Sequence, residues 1–307
     1  MFNLFVLILI FLDLFVFQRK AHTISLREAG VMSAVWIGIA LAVNVFIWQW
    51  RGAAAGVEYF TAWLLEKSLS VDNLFVILVI FTFFKVDSRY QRRVLQWGIM
   101  GALIMRGIFI AVGTTILTLF HPIIYVFGAF LVYTGIRLAR ENDETEPELD
   151  KNPAIRLIRR FIPVSEQYHE EKFFIVEAGK RMATPLLLVL AVVETTDLLF
   201  AVDSIPAVIG VTKDPFIVYA SNVMAILGLR ALYFLLAGVM DKFHYLKYAL
   251  AAILVFVGVK MLTEDWLLEG ILHIHKEQMV IVTLIFIVAT LAAGVGISLT
   301  RPKKATH

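Results

Sequence analysis

The segment Glu66-Lys-Ser-Leu-Ser-Val-Asp-Asn73 places two acids and an amide inside a long apolar run, and Asp197-Leu-Leu-Phe-Ala-Val-Asp-Ser204 repeats the pattern 131 residues later. A charge at the centre of a bilayer costs roughly 3 kcal/mol on insertion scales, so acids within such runs indicate a functional site. The two segments therefore predict a membrane protein whose interior carries paired carboxylates.

The match between these segments belongs to a longer internal repeat. Residues 100–106 align with residues 224–230 at an offset of 124, and Gly135 aligns with Gly258 at an offset of 123. Ordered matches with a slowly drifting offset indicate one duplicated unit with small deletions in its loops. Each unit contains three apolar runs, and an odd number of crossings inverts the second unit, as in many secondary transporters.

The composition indicates a polytopic, all-α membrane protein. Of the 307 residues, 60% are hydrophobic and 17% are charged, whereas soluble domains have roughly 45–50% apolar and 25% charged residues. A spanning helix needs about 20 apolar residues, while barrel strands are shorter and alternate. A soluble enzyme, a nucleic-acid-binding protein and a transmembrane barrel are therefore excluded. We predict nine transmembrane helices, at residues 1–17, 29–50, 57–84, 95–118, 121–138, 183–211, 215–236, 245–263 and 278–299.

The distribution of Lys and Arg orients these helices. With the N-terminus outside and the C-terminus cytoplasmic, the cytoplasmic segments hold 21 Lys and Arg residues and the outer loops hold 3. This asymmetry follows the positive-inside rule. The chain is then a single transmembrane domain: two N-terminal spans (1–56), repeat one (57–138), a cytoplasmic loop (139–182), repeat two (183–263), and the last span with its tail (264–307).

The cytoplasmic loop is the one large polar segment. It begins with an acidic cluster at 141–150, continues with the basic amphipathic stretch 154–162, and then has a possible hairpin around Gly179. It is either a solvated linker or a regulatory, metal-sensing segment. It is also the segment through which protein partners would bind.

The predicted spans carry more acids than bases, and this deficit of positive charge favours bound cations. We predict metal ligands at Asp72, Asp203, Glu66, Asp197, Glu194, Asn73 and Ser204, counter-ions or gating groups at Arg106, Arg230 and Lys67, and secondary polar groups at Asp13 and Asn44. Carboxylate, amide and hydroxyl oxygens suit Mg²⁺, Ca²⁺ or Mn²⁺. The chain has no cysteine, and all of its histidines fall in loops or at span ends. We therefore expect no permanently bound cofactor.

Helical spacing predicts which of these groups meet. Glu66 and Asn73 lie seven residues apart on one face of a helix, and Asp197 and Ser204 do the same. Asp72 and Asp203 would join them only if their helices are interrupted, and Pro206 makes an interruption conceivable in the second repeat.

The bases and the outlying acid leave alternatives open. Arg106 and Arg230 are either fixed ion-pair partners or movable counter-ions that replace a metal in the empty carrier. Lys67 is expected to pair with Glu66 or to extend away from it. Asp13 is either a satisfied packing group or part of the site.

These motifs resemble the TerC family of membrane proteins. Residues 63–75 are similar to that family's first signature and residues 193–207 to its second, and the resemblance covers roughly residues 5–300. Its closest branch is the Alx type. The resemblance implies a bacterial inner-membrane protein that exports Mn²⁺, with proton exchange left open, and kinship with the lysine-exporter superfamily. It assigns Glu66, Asp72 and Asn73 to the first acidic motif, and Glu194, Asp197, Asp203 and Ser204 to the second.

Two other classes of function are alternatives to a carrier. One is a non-transporting membrane partner that assists the assembly or metalation of other proteins through the loop 139–181. The other is an intramembrane aspartyl protease, which the sequence disfavours because it contains neither a Tyr-Asp nor a Gly-Asp pair. We therefore expect a carrier and not an enzyme.

Overall fold

Each of the nine predicted apolar runs contains at least one helix in the computed structural model, which describes residues 2–15, 25–120, 122–140, 153–165, 167–169, 171–177, 180–237, 245–263 and 276–300. The elements in chain order are α1 (Phe2–Phe15), α2 (Leu26–Arg51), α3 (Ala53–Phe83), α4 (Ser88–Leu119), α5 (Ile123–Arg140), α6 (Pro153–Phe161), β1 (Phe174–Glu177), β2 (Lys180–Ala183), α7 (Pro185–Ile209), α8 (Pro215–Ile226), α9 (Leu229–Ala237), α10 (Leu246–Thr263) and α11 (Lys276–Thr300).

The helices have the length and surface of membrane-spanning segments. Five described helices, α2, α4, α5, α7 and α11, are long and apolar enough to cross a bilayer, and α8 with α9 forms a sixth if the bent pair is one span. On α4, Ile104, Ile108 and Val112 are 62%, 57% and 50% exposed. Their spacing of four residues places them on one apolar face, which lipid would cover. The protein is therefore a multi-pass helical membrane protein, and nine crossings stay a prediction.

Helices of the two predicted repeats pack on each other, and the first helix of each repeat contacts the second helix of the other. The first helix of repeat one, α3, packs on the second of repeat two, α8, and the second helix of repeat one, α4, packs on the first of repeat two, α7. The third helices, α5 and α10, pack on each other. A two-fold relation between two units produces this exchange of partners.

Small residues bring α5 and α10 into close contact, as at many membrane helix crossings. A Cβ on Gly128 would lie 2.9 Å from the carbonyl oxygen of Gly258, and a Cβ on Gly135 would lie 2.8 Å from that of Ala251. At the repeat offset of 123, Gly128 corresponds to Ala251 and Gly135 corresponds to Gly258. The two contacts are therefore each other's counterparts in the repeat.

The helix break lies in a different span from the one predicted. Helix α7 continues through Pro206 to Ile209, so the predicted interruption beside Asp203 is wrong, and α3 is continuous from Ala53 to Phe83. Pro206 is in the last turn of α7, where its missing N–H removes one bond without dividing the helix. The break instead separates α8 from α9, which bend by 43° at Leu227 and Gly228.

The described part of the central loop is folded onto the helix ends. The predicted basic stretch forms α6, which packs on α7, and the predicted hairpin forms from antiparallel β1 and β2. Tyr168 donates a hydrogen bond to the Phe84 carbonyl at 2.7 Å and stacks on Tyr90. Burial raises the pKa of Tyr168 to about 12, so its hydroxyl remains a donor at physiological pH.

Candidate functional site

Arg106 of α4 forms the centre of the candidate site. Its guanidinium is 1% exposed and donates to carboxylates from two helices, Glu66 of α3 and Asp197 of α7. Arg106 Nη1 also donates to Ser204 Oγ at 3.2 Å. The Asn73 side chain is oriented so that its amide nitrogen donates to the Leu69 carbonyl. In this orientation the Asn73 amide oxygen accepts from Arg106 Nη2 at 3.3 Å. Four oxygen ligands thus surround one buried cation.

The spacing of these ligands explains why they meet. Glu66 and Asn73 are two helical turns apart on α3, and Asp197 and Ser204 are two turns apart on α7. Side chains at that spacing lie on one face. Since α3 and α7 pack together, the two faces meet around Arg106. The structure thus brings these four predicted residues together, and their role as metal ligands stays a prediction.

The four ligands are two pairs of counterparts in the predicted repeat. At the offset of 131, Glu66 corresponds to Asp197 and Asn73 corresponds to Ser204. Arg106 therefore contacts both members of both pairs, although it belongs to repeat one alone. Both repeats contribute equally to its surroundings.

Several oxygens at this site are buried without a hydrogen-bond partner among the described residues. They are Glu66 Oε2, Asp197 Oδ2 and Ser70 Oγ, the last on the same face of α3 as Glu66. Burying an unsatisfied polar atom costs about 1–3 kcal/mol, so such atoms call for a functional reason. These oxygens are of the type that ligates Mn²⁺ or Mg²⁺. Ser70 is not among the residues that the sequence predicted as ligands.

Glu194 lies on α7 one turn before Asp197 and faces α4. A Cβ added to Gly101 of α4 would overlap the Glu194 carboxylate. A glycine at position 101 therefore provides the space that this acid occupies. The sequence predicted Glu194 as a metal ligand, but it gave no indication of the role of Gly101.

Of the two predictions made for Lys67, the structure agrees with the second: the side chain extends away from Glu66. Its ammonium donates to the Ala225 carbonyl of α8 at 3.2 Å. In an unbroken helix that carbonyl would accept from the amide of residue 229, and the break at Gly228 removes this bond. A cation near a helix C-terminus also interacts favourably with the helix dipole. Lys67 thus caps the broken end of α8.

For the remaining predicted residues, the structure describes some side chains and only the backbone of others. Arg230 lies near the start of α9 and is 3% exposed, and Asn44 Oδ1 on α2 is buried without a hydrogen-bond partner among the described residues. Asp13, Asp72 and Asp203 have helical backbones, but their side chains lie outside the described part of the structure. Among the side chains that are described, no three His, Asp or Glu residues come close enough to hold a metal ion.

The described histidine lies away from this site, in the central loop. His169 is within hydrogen-bonding distance of Ser165 Oγ, at 3.1 Å. The structure does not describe the side chains of the other six histidines, which are His22, His121, His244, His273, His275 and His307.

The family is decided by a match to the model described as "Integral membrane protein TerC family", which covers residues 51–306. The chain belongs to the TerC family. That range contains every residue around Arg106 and both halves of the internal repeat. The resemblance inferred from the two acidic motifs is therefore confirmed.

Individual TerC proteins match over most of their length. The chain is 49% identical to an uncharacterized membrane protein, STKORF319, of Myxococcus xanthus over 263 residues, covering 85% of this chain and 82% of that protein. It is 45% identical over 257 residues to the membrane-bound redox modulator Alx of Escherichia coli (strain K12), covering 81% and 80%. It is 43% identical over 285 residues to the thylakoid membrane protein TERC of Arabidopsis thaliana, covering 92% and 71%. No solved structure matches significantly.

Proposed function

We propose that this TerC protein exports divalent metal ions, Mn²⁺ foremost, across the bacterial inner membrane by alternating access. The proposal makes it a carrier and not an enzyme, with nine spans and the metal as its substrate. The observation that carries it is the convergence of two repeat-related ligand pairs, Glu66 with Asp197 and Asn73 with Ser204, on one buried cation.

The chemistry of this site supports a cation as the substrate. Two carboxylates, an amide and a hydroxyl offer the oxygen donors that hard divalent ions prefer. The unpartnered oxygens of Glu66, Asp197 and Ser70 add further donors. A ring of negative and neutral oxygens repels anions, so an oxyanion substrate is disfavoured.

The packing supports alternating access. Carriers of this type move two related units against each other around a fixed site. Here α3 of one unit packs on α8 of the other, and α4 packs on α7. The ligands come from α3 and α7, one helix of each unit. A site shared by both units can open to either side of the membrane when one unit tilts.

The names of the relatives fit this proposal within limits. The Alx proteins are named as redox modulators. For this chain, we propose an effect on redox state only through the supply of metal. The chain has no cysteine, so it has no thiol for disulfide exchange.

Cellular metal content tests the proposal. Manganese is measured by mass spectrometry in bacteria that lack their own exporters, with equal membrane levels of each variant. Wild type should lower cellular manganese, whereas Asp72→Asn, Asp203→Asn, Glu66→Gln and Asp197→Asn should not, because each removes a carboxylate ligand. The exposed hairpin residue Glu177 provides the control, Glu177→Gln, which should export like wild type.

Two outcomes would contradict the proposal. A wild-type protein that leaves manganese unchanged would favour the non-transporting role in assembly or metalation. Normal export by all four carboxylate variants would place the transport site elsewhere.

A further inference from the structure

Resting on the proposed function, we infer that Arg106 is a tethered substitute for the metal: it fills the site in the empty carrier, which can then return without carrying a second cation. Export would be net movement of metal and would not require a counter-transported ion. The inference comes from the position, the bonding and the charge of Arg106.

The position of Arg106 differs from that of a simple ion-pair partner. A fixed pair within one unit would join Arg106 to Glu66 alone. Instead the guanidinium also reaches Asp197 and Ser204 of the other unit. A group held by corresponding residues of both units remains beside the site whichever unit moves.

The bonding of Arg106 is incomplete in a way that a permanent structural pair would not be. A guanidinium has five N–H donors and binds a carboxylate most strongly through two parallel bonds. Arg106 gives Glu66 and Asp197 one bond each, and its Nε has no partner among the described residues. The second oxygen of each carboxylate is likewise unpartnered. These free positions let another cation compete for the same ligands.

The charges predict that Arg106 and a divalent ion exclude each other. Glu66 and Asp197 together carry two negative charges, which one divalent ion balances without help. A guanidinium and a divalent ion held by the same two carboxylates would also repel each other at short range, and this repulsion is strong in a medium of low dielectric constant. Metal binding therefore displaces Arg106, and metal release allows it to return.

Purified protein in vesicles loaded with radioactive manganese separates two modes of transport. Net efflux into metal-free buffer requires the empty carrier to reorient. Exchange against external manganese does not, because the carrier is loaded in both directions. If Arg106 neutralises the empty site, its removal should affect the first mode and spare the second.

We expect Arg106→Gln to keep exchange within about twofold of wild type and to lower net efflux by about tenfold or more, since two uncompensated carboxylates must then cross as the empty form. Arg106→Lys, which keeps the charge without the planar fork, should give intermediate net efflux. Arg181→Gln in the hairpin, where Arg181 is exposed, is the matched control and should match wild type in both modes.

Equal loss of both modes in an inserted Arg106→Gln protein would assign Arg106 a structural role and overturn the inference, as would normal net efflux. If Arg106→Gln fails to accumulate, Arg106→Lys decides by the same comparison: a selective loss of net efflux supports the inference, and an equal change in both modes overturns it. A wild-type protein inactive in both modes would instead contradict the proposed function itself.

Discussion

Arg106 and Gly101 lie a little over one turn apart on α4, and each lies against a different acid of α7. Arg106 binds Asp197 by charge, whereas Gly101 accommodates Glu194 by the absence of a side chain. Both residues thus position the acidic face of α7 against α4. The effect of Gly101 is steric, so it can be tested without changing any charge.

We predict that Gly101→Ala lowers manganese export by about tenfold while the protein still inserts. The added methyl would overlap the end of the Glu194 side chain, so the carboxylate would have to move out of the position that it occupies. Gly107→Ala on the same helix is the control, because a Cβ there meets nothing within 4 Å. Equal export by the two variants, measured as cellular metal content, would show that the position of Glu194 does not matter.

The break between α8 and α9 is the main irregularity among the described transmembrane elements. Gly228 has a φ of +91°, which residues with a Cβ rarely adopt, and the side chain of Trp36 packs directly on it. The break frees the Ala225 carbonyl for Lys67 and precedes Arg230 by two residues. Its counterpart region in α4 is continuous, so the two repeats differ here.

Gly228→Ala should destabilise the protein by about 1–2 kcal/mol or more, from the backbone conformation alone. The new Cβ would also lie 2.6 Å from the Trp36 Cβ. A melting temperature several degrees lower in detergent is the expected result. Gly38→Ala, at a helical position of α2 with nothing within 4 Å of the added Cβ, should melt at or slightly above the wild-type temperature. Similar melting of both variants would mean that the break tolerates a side chain.

Contacts at the ends of the molecule agree with the predicted topology. Arg51 pairs with Asp214 at 2.6 Å, and both belong to predicted outer loops. Tyr168, in the predicted cytoplasmic loop 139–182, stacks on Tyr90 of the predicted cytoplasmic loop between spans 3 and 4, and it donates a hydrogen bond to Phe84 at the end of predicted span 3. Residues whose side chains or backbones touch lie on the same side of the membrane, so each contact links loops that the Lys and Arg distribution also places together.

Cysteine labelling tests the topology directly. The chain has no cysteine, so one introduced thiol is the only target for a membrane-impermeant maleimide. Lys213→Cys, between α7 and α8, should react in intact cells. Lys172→Cys, in the central loop, should react only after the inner membrane is permeabilised. Labelling of both from the same side would refute the predicted crossing of span 6, which separates the two positions.

The sequence alone determined the features that depend on periodicity and on the cost of charge in a membrane. Long apolar runs predicted the helices, two acidic motifs predicted the convergence of Glu66, Asn73, Asp197 and Ser204, and those motifs indicated the TerC family. Helical spacing fixes which side chains share a face, and this information is local.

Tertiary structure decided which group those faces enclose and where the chain bends. Nothing local to Arg106 indicates that it contacts both repeats, and nothing local to Gly101 indicates that Glu194 fills its space. Pro206 predicted a break that the packing of α7 does not produce, whereas Trp36, almost 200 positions away in sequence, packs on the break at Gly228. Such choices depend on contacts between distant segments, and a single sequence read along its length does not contain their geometry.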